Sequence, residues 1–216
     1  MDNIAEAAPG IYRIDTALGN RRCSMFLLIG PDAAILVDTA VASAVAGSVL
    51  PALAEIGVAP ERVRLVLISH ADIDHCGDAA AAKAAFPRAL LACGRDDMAE
   101  VNSLETMIAD RYGQFTADHA IEDSPETTAW FRRVGNFAPV DLGLSGGEVV
   151  PLGGGWAVQI LHVPGHSRGH LAVWDPRSRT AVIADAALGR TVPTAAGDPA
   201  FPPTYRYVDP YLGSVA

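Results

Sequence analysis

Along the first forty residues the apolar positions come in short runs of strand length. Residues 11–14, 24–29 and 34–37 form such runs, and Gly30-Pro31-Asp32 makes a turn between the last two. The pattern then changes. Residues 41–56 are rich in Ala, Val and Leu, stop at Gly57 and are followed by Pro60, which predicts a buried helix that Pro51 kinks or divides. Residues 64–69 carry the continuous run Leu-Val-Leu-Ile-Ser, expected of a strand covered on both faces. An Ala-rich helix over 78–86, a strand over 89–92 and a helix over 96–112 follow. Strand alternating with helix predicts an α/β fold.

Residues 113–147 fit that rhythm less well. Ser124-Pro125-Glu126 reads as a helix start, and Phe115, Trp130, Phe131 and Phe137 are scattered through the segment. It is a candidate lid insertion, and the aromatic stretch over 107–137 is expected either to cover a substrate, with Arg111, Arg132 or Arg133 reading an anionic group, or to pack as an ordinary inserted helix pair. From residue 148 strands resume over 149–154, 156–163, 170–175 and 180–185, separated by Gly- and Pro-rich turns. No short-period repeat is present, and residues 1–216 read as one domain.

Composition narrows the function classes. Half the residues are hydrophobic and 19% are charged, as in a compact globule. The formal net charge of −9, with no Lys/Arg cluster, argues against nucleic acid or an anionic membrane as partner. No apolar run reaches membrane-span length, and the start MDNIAEAAPG lacks the pattern of a signal peptide. Cys23, Cys76 and Cys93 are too few for a disulfide framework. The expectation is a cytoplasmic protein with a small-molecule substrate, and a homo-oligomer is one way to bury a sheet edge.

The densest chemistry lies in Ser69-His70-Ala71-Asp72-Ile73-Asp74-His75-Cys76, where two imidazoles and two carboxylates directly follow an apolar strand. Open α/β sheets place their ligands at such strand ends. Pro164-Gly165-His166 ends a second strand and Asp185 a third. Around these, Asp38 is expected to orient one of the histidines or cap a helix, Asp78 to cap the helix after the His70–His75 loop, and Cys76 to fill space. Alternation puts His162 on the face of His166, lining the cleft or buried in the core. His170 is expected to meet substrate or to bond locally, and His119 to sit in a solvated loop.

The order His70-x-Asp72-x-Asp74-His75, Pro164-Gly165-His166, Asp185 resembles the metallo-β-lactamase superfamily, whose motif reads H-x-H-x-D-H, a PGH histidine, a bridging aspartate and a final histidine. Leu36-Val37-Asp38-Thr39 is similar to a further part of that pattern. The resemblance implies an αββα sandwich with two divalent metal ions at one edge. One ion would be held by His70, residue 72 and His166, the other by Asp74 and His75, with Asp185 bridging. It also implies hydrolysis of an ester, lactone, thioester or amide by a hydroxide between the metals, oriented by Asp74 or Asp185.

Two positions depart from the pattern. Asp72 stands where the superfamily has histidine. Three carboxylates and a hydroxide then balance two divalent ions, where a histidine would leave one net positive charge. Oxygen-rich ligation favours iron or manganese beside zinc, and the superfamily's di-iron branch has an acid at this place. No histidine follows His170, so the second metal position lacks a protein ligand, and the last strand and helix of the sandwich are expected to be missing. A mononuclear or di-iron redox site, or a metal-binding domain without catalysis, are the alternatives to hydrolysis.

Overall fold

The computed structural model describes residues 3–216. Strands β1 (Ile4–Ala8), β2 (Ile11–Leu18), β3 (Arg21–Ile29), β4 (Ala34–Val37), β5 (Val63–Ile68), β6 (Leu90–Gly94) and β7 (Leu142–Leu144) form one sheet in that spatial order. Pairing is antiparallel from β1 to β4 and parallel from β4 to β7. A second, antiparallel sheet has the order β11 (Thr180–Val182), β10 (Leu171–Asp175), β9 (Trp156–His162), β8 (Val149–Gly153).

The unbroken apolar runs of β4 and β5 follow from burial on both faces. Leu36, Val66 and Ile68 pack against the helices, whereas Ile35, Val37, Leu65 and Leu67 meet Val158, Ile160, Leu171 and Val173 of the second sheet. β9 has one wet face, with Gln159 and Leu161 turned outward, so its sequence alternates. The mixed α/β sandwich is the expected fold class. After β11 the helical content among the described residues is a 3₁₀ turn and α8 (Val208–Ser214), beside the two short strands β12 (Val192–Pro193) and β13 (Pro199–Phe201).

Several elements differ in extent from expectation. The helix over 41–56 begins later, as a π turn Val45–Val49 running into α1 (Leu50–Glu55), because Ala40 and Ser43 adopt left-handed φ of 55° and 75°. Pro51 does not divide it: the proline lies in the first turn of α1, where the π turn gives way to the α-helix, and the backbone stays helical through it. α2 (Ile73–Cys76) and α3 (Ala79–Ala85) follow β5. The helix over 96–112 breaks into α4 (Met98–Asn102), α5 (Leu104–Thr106) and a π turn Met107–Tyr112. Ser103 causes the break, since it is extended and its hydroxyl accepts from Thr106 N at 3.2 Å. The stretch expected to be an insertion contains α6 (Thr116–His119), α7 (Pro125–Val134) and also β7, which completes the first sheet. No helix of the described residues is long and apolar enough to cross a membrane.

Candidate metal centre

Asp38, the loop from Ser69 to His75, Asp97, His166 and Asp185 all lie just beyond the C-terminal ends of β4, β5, β6, β9 and β11. Two glycines let these loops close up. A Cβ on Gly94 would fall 1.8 Å from Gly169 O, and one on Gly165 would meet Tyr211 Cβ at 2.7 Å. Asp185 sits on the 3₁₀ turn Ala184–Ala186 rather than on the strand read through it, and Ala184 before it is left-handed at φ 44°.

Three histidines converge there. The ring of His70 lies 4.0 Å from that of His75 and 4.8 Å from that of His166, centroid to centroid. In each, Nδ1 is taken up by a neighbour. His75 Nδ1 donates to Asp38 Oδ2 at 2.8 Å and His166 Nδ1 to Thr204 O at 2.6 Å. Ser69 Oγ donates to Asp38 Oδ2 at 2.8 Å, so it accepts from His70 Nδ1 at 2.9 Å. Every Nε2 is thereby aimed into the same space, the arrangement that outer hydrogen bonds impose on metal-binding imidazoles. Asp38 orients two of the three, and helix capping is not its role.

The carboxylates close two groups. His70, Asp72 and His166 offer ligand atoms within 4.8 Å of one another, as do His70, His75 and Asp185. Asp72 Oδ2 lies 2.9 Å from His166 Nε2 and 3.4 Å from His70 Nε2. Asp185 spans the groups, 3.5 Å from His75 Nε2 and 4.0 Å from His166 Nε2. Asp74, expected beside His75, belongs to neither group and lines the cleft instead. His70 Nε2 is buried without a hydrogen-bond partner, a costly state that a divalent ion removes. The donor set of imidazole and carboxylate fits such an ion.

The electrostatics differ between the two histidine positions of the loop. Burial holds His70 well below the usual histidine range, leaving its lone pair free. Burial opposes charge on His75 too, but Asp38 and Asp185 outweigh it and raise its pKa to about 10. Asp74 is raised by burial. Burial would raise Asp72 as well, yet Arg111 keeps it well below the carboxylate range.

Arg111 is not an exposed lid residue reading substrate. It is buried on the π turn Met107–Tyr112, with Nε and Nη2 each donating to Asp72 at 2.7 Å and Nη1 donating to His166 O at 3.1 Å. The next residue, Tyr112, accepts from Ile73 N through its hydroxyl at 2.9 Å. Arg132 is spent on Glu105, and Arg133 is exposed.

Asp97 has a role in the centre that its sequence position barely marks. It accepts from Ala71 N at 3.1 Å, Gly169 N at 2.6 Å and Ser167 Oγ, tying the two histidine loops together. Its one sequence signal is an acid just past a parallel strand. Asp78, expected to cap α3, makes no side-chain cap and instead accepts from Val45 N and Asn136 Nδ2. His162 is exposed and bonds Arg168 O at 2.7 Å, so it neither lines the cleft nor joins the core. His170 is fully buried and stacked on His70 at 4.5 Å, where it backs the ligand ring and donates to Ile183 O. Cys76 is buried filler, as expected.

The centre forms the floor of an open cleft of about 570 Å³. Its walls are Arg13, Arg21 and Arg22 from the β2–β3 hairpin, Trp130 and Phe131 from α7, and Arg206.

An α/β sandwich with converging His and Asp groups at one edge defines a class, the metal-binding hydrolase folds. The model of the metallo-beta-lactamase superfamily matches residues 18–214, and the chain belongs to that superfamily. Among solved structures, it is similar to a metallo-beta-lactamase family protein from Thermus thermophilus. Identity there is 22% and the TM-score 0.73, over 97% of this chain and 69% of that one. BJP-1, a subclass B3 metallo-beta-lactamase of Bradyrhizobium japonicum, gives 19% and 0.63 over 98% and 71% of the two chains. FEZ-1 of Legionella gormanii gives 18% and 0.66 over 98% and 73%. Identities this low carry the fold alone. No protein of curated function matches the chain in sequence.

Proposed function

We propose that this chain is a hydrolase of small acyl substrates (esters, lactones, thioesters or amides) working with two divalent ions, zinc foremost. The observation that carries the reading is the convergence of three Nε2 atoms, each with its Nδ1 held from outside, on two carboxylates at the floor of an open cleft. His70, Asp72 and His166 would hold one ion. His75 and Asp185 would hold the second, with Asp74 on its cleft side. Ions bound there polarise the acyl oxygen and ease the ionisation of water.

The remaining work falls to side chains of the chain itself. Asp185 faces the cleft between the two groups and orients the attacking water. Asp74, in its carboxylate form, takes the proton from that water and returns it to the leaving group, and the burial that raises its pKa makes it a stronger base. Trp130 and Phe131 flank the acyl portion, which makes their segment a lid in function. Arg21 and Arg22 border the same opening and select substrates that carry a negative charge away from the scissile bond.

The test is a panel of chromogenic lactones and thioesters, with protein reconstituted in zinc, manganese or iron. Turnover that requires metal and disappears in His166→Ala supports the reading. Full metal occupancy with no turnover on any substrate overturns it.

A further inference from the structure

At the position where Asp72 replaces histidine, both carboxylate oxygens are bound to Arg111 in a two-pronged pair at 2.7 Å and 2.7 Å, and Arg111 is only 6% exposed. Arginine suits this task because its planar fork matches a carboxylate and never loses its charge. Even so, the pair does not withdraw Asp72 from the centre. Oδ2 still points at His70 and His166, 3.4 Å and 2.9 Å from their Nε2 atoms. The third arm of Arg111 holds the main chain of His166 itself. One buried cation thus fixes two of the three groups at this position.

We propose that Asp72 and Arg111 act as a single composite ligand that replaces a histidine, with Arg111 as its positioning residue. A carboxylate alone would place one negative charge beside the ions where a histidine places none. Arg111 cancels that charge, so the pair is electrically equivalent to an imidazole. The fork also fixes the carboxylate plane, as Asp38 fixes the ring of His75. It follows that neither residue can be changed alone. Histidine at 72 would leave Arg111 buried, unpaired and next to a divalent ion, a severe penalty. Histidine at 72 with an apolar residue at 111 would restore a consistent set.

The inference rests on the metal centre proposed above, and the experiment separates the two. Zinc affinity is measured by competition with a chromogenic chelator for the parent chain, Asp72→His, Arg111→Met and the double variant. Circular dichroism checks folding. A parent that binds no zinc overturns the metal centre itself. With a parent that binds, we expect Asp72→His to weaken zinc at least about tenfold and the double variant to return to within about threefold of the parent. Asp72→His binding as well as the parent, or a double variant no better than Asp72→His, overturns the composite ligand.

Arg111→Lys keeps the charge and loses the fork, so it covers the case in which Asp72→His does not fold. Loaded with cobalt, it should show a shifted ligand-field spectrum although every proposed ligand is intact. An unchanged spectrum would make Arg111 a structural strut and overturn the proposal.

Discussion

Asp38 has a left-handed backbone at φ 66° and a buried carboxylate whose oxygens serve Ser69 N, Ser69 Oγ and His75 Nδ1. An asparagine there keeps the shape but has one accepting oxygen where three donors arrive. Asp38→Asn should fold as the parent does and bind zinc roughly ten- to a hundredfold more weakly, the usual effect of losing an outer partner of a ligand histidine. Competition titration reads this, and unchanged affinity would mean that His75 needs no such anchor. The same contact has a consequence for protons. With its pKa raised to about 10, metal-free His75 is protonated at neutral pH. A ligand imidazole must be neutral, so metal uptake expels that proton, and affinity should strengthen as pH rises toward that value. Calorimetry of zinc binding near neutral pH, in buffers of differing ionisation enthalpy, should show net proton release. An equal heat in all of them would contradict it.

The elements between the strands decide how rigid the centre is. Asp97, at the entry to α4, holds both histidine loops through three donors. Asp97→Ala leaves buried donors unmatched and should cost on the order of 3 kcal/mol, read as a lower denaturant midpoint for the metal-free protein. A loss below about 1 kcal/mol would mean the loops hold themselves. None of this was legible in sequence, because the partners of Asp97 are 26, 70 and 72 residues away and nothing local marks them. The role of Arg111 was hidden in the same way, 39 residues from Asp72, and its position read as a lid surface because the π turn that buries it has no clear sequence pattern. By contrast β4 and β5 were legible, since burial on both faces writes a continuous apolar run. The histidine loop was legible because all its donors lie within six residues. β7, only three residues long with a glycine at its centre, carries too little pattern to be seen, and was absorbed into the expected insertion. Where chemistry is local or burial is complete the sequence speaks, and where long-range hydrogen bonds do the work it does not.

Across the whole molecule the charge is uneven in a way that bears on substrate. The chain carries a net −9, yet Arg13, Arg21, Arg22, Arg111 and Arg206 all line the one cleft that holds the centre. Arg111 is consumed by Asp72, Arg13 pairs with Asp15 at 3.1 Å, and Arg206 holds Arg111 O and Gln114. Arg21 lies over the Phe201 ring at 4.8 Å, and neither it nor Arg22 has a carboxylate partner among the described residues. A protein that repels anions overall thus presents two uncommitted cations at the mouth of its cleft, a local field that gathers negatively charged substrates. Arg21→Ala with Arg22→Ala should raise KM for a lactone or thioester bearing a carboxylate by roughly tenfold, about 1.4 kcal/mol of binding. kcat should change little, because these contacts would be made equally in ground and transition states. The neutral analogue should be indifferent to the substitutions, and added salt should close the gap between the two substrates in the parent, as screening requires. If KM for charged and neutral substrates rises together, the hairpin arginines shape the cleft and do not read charge.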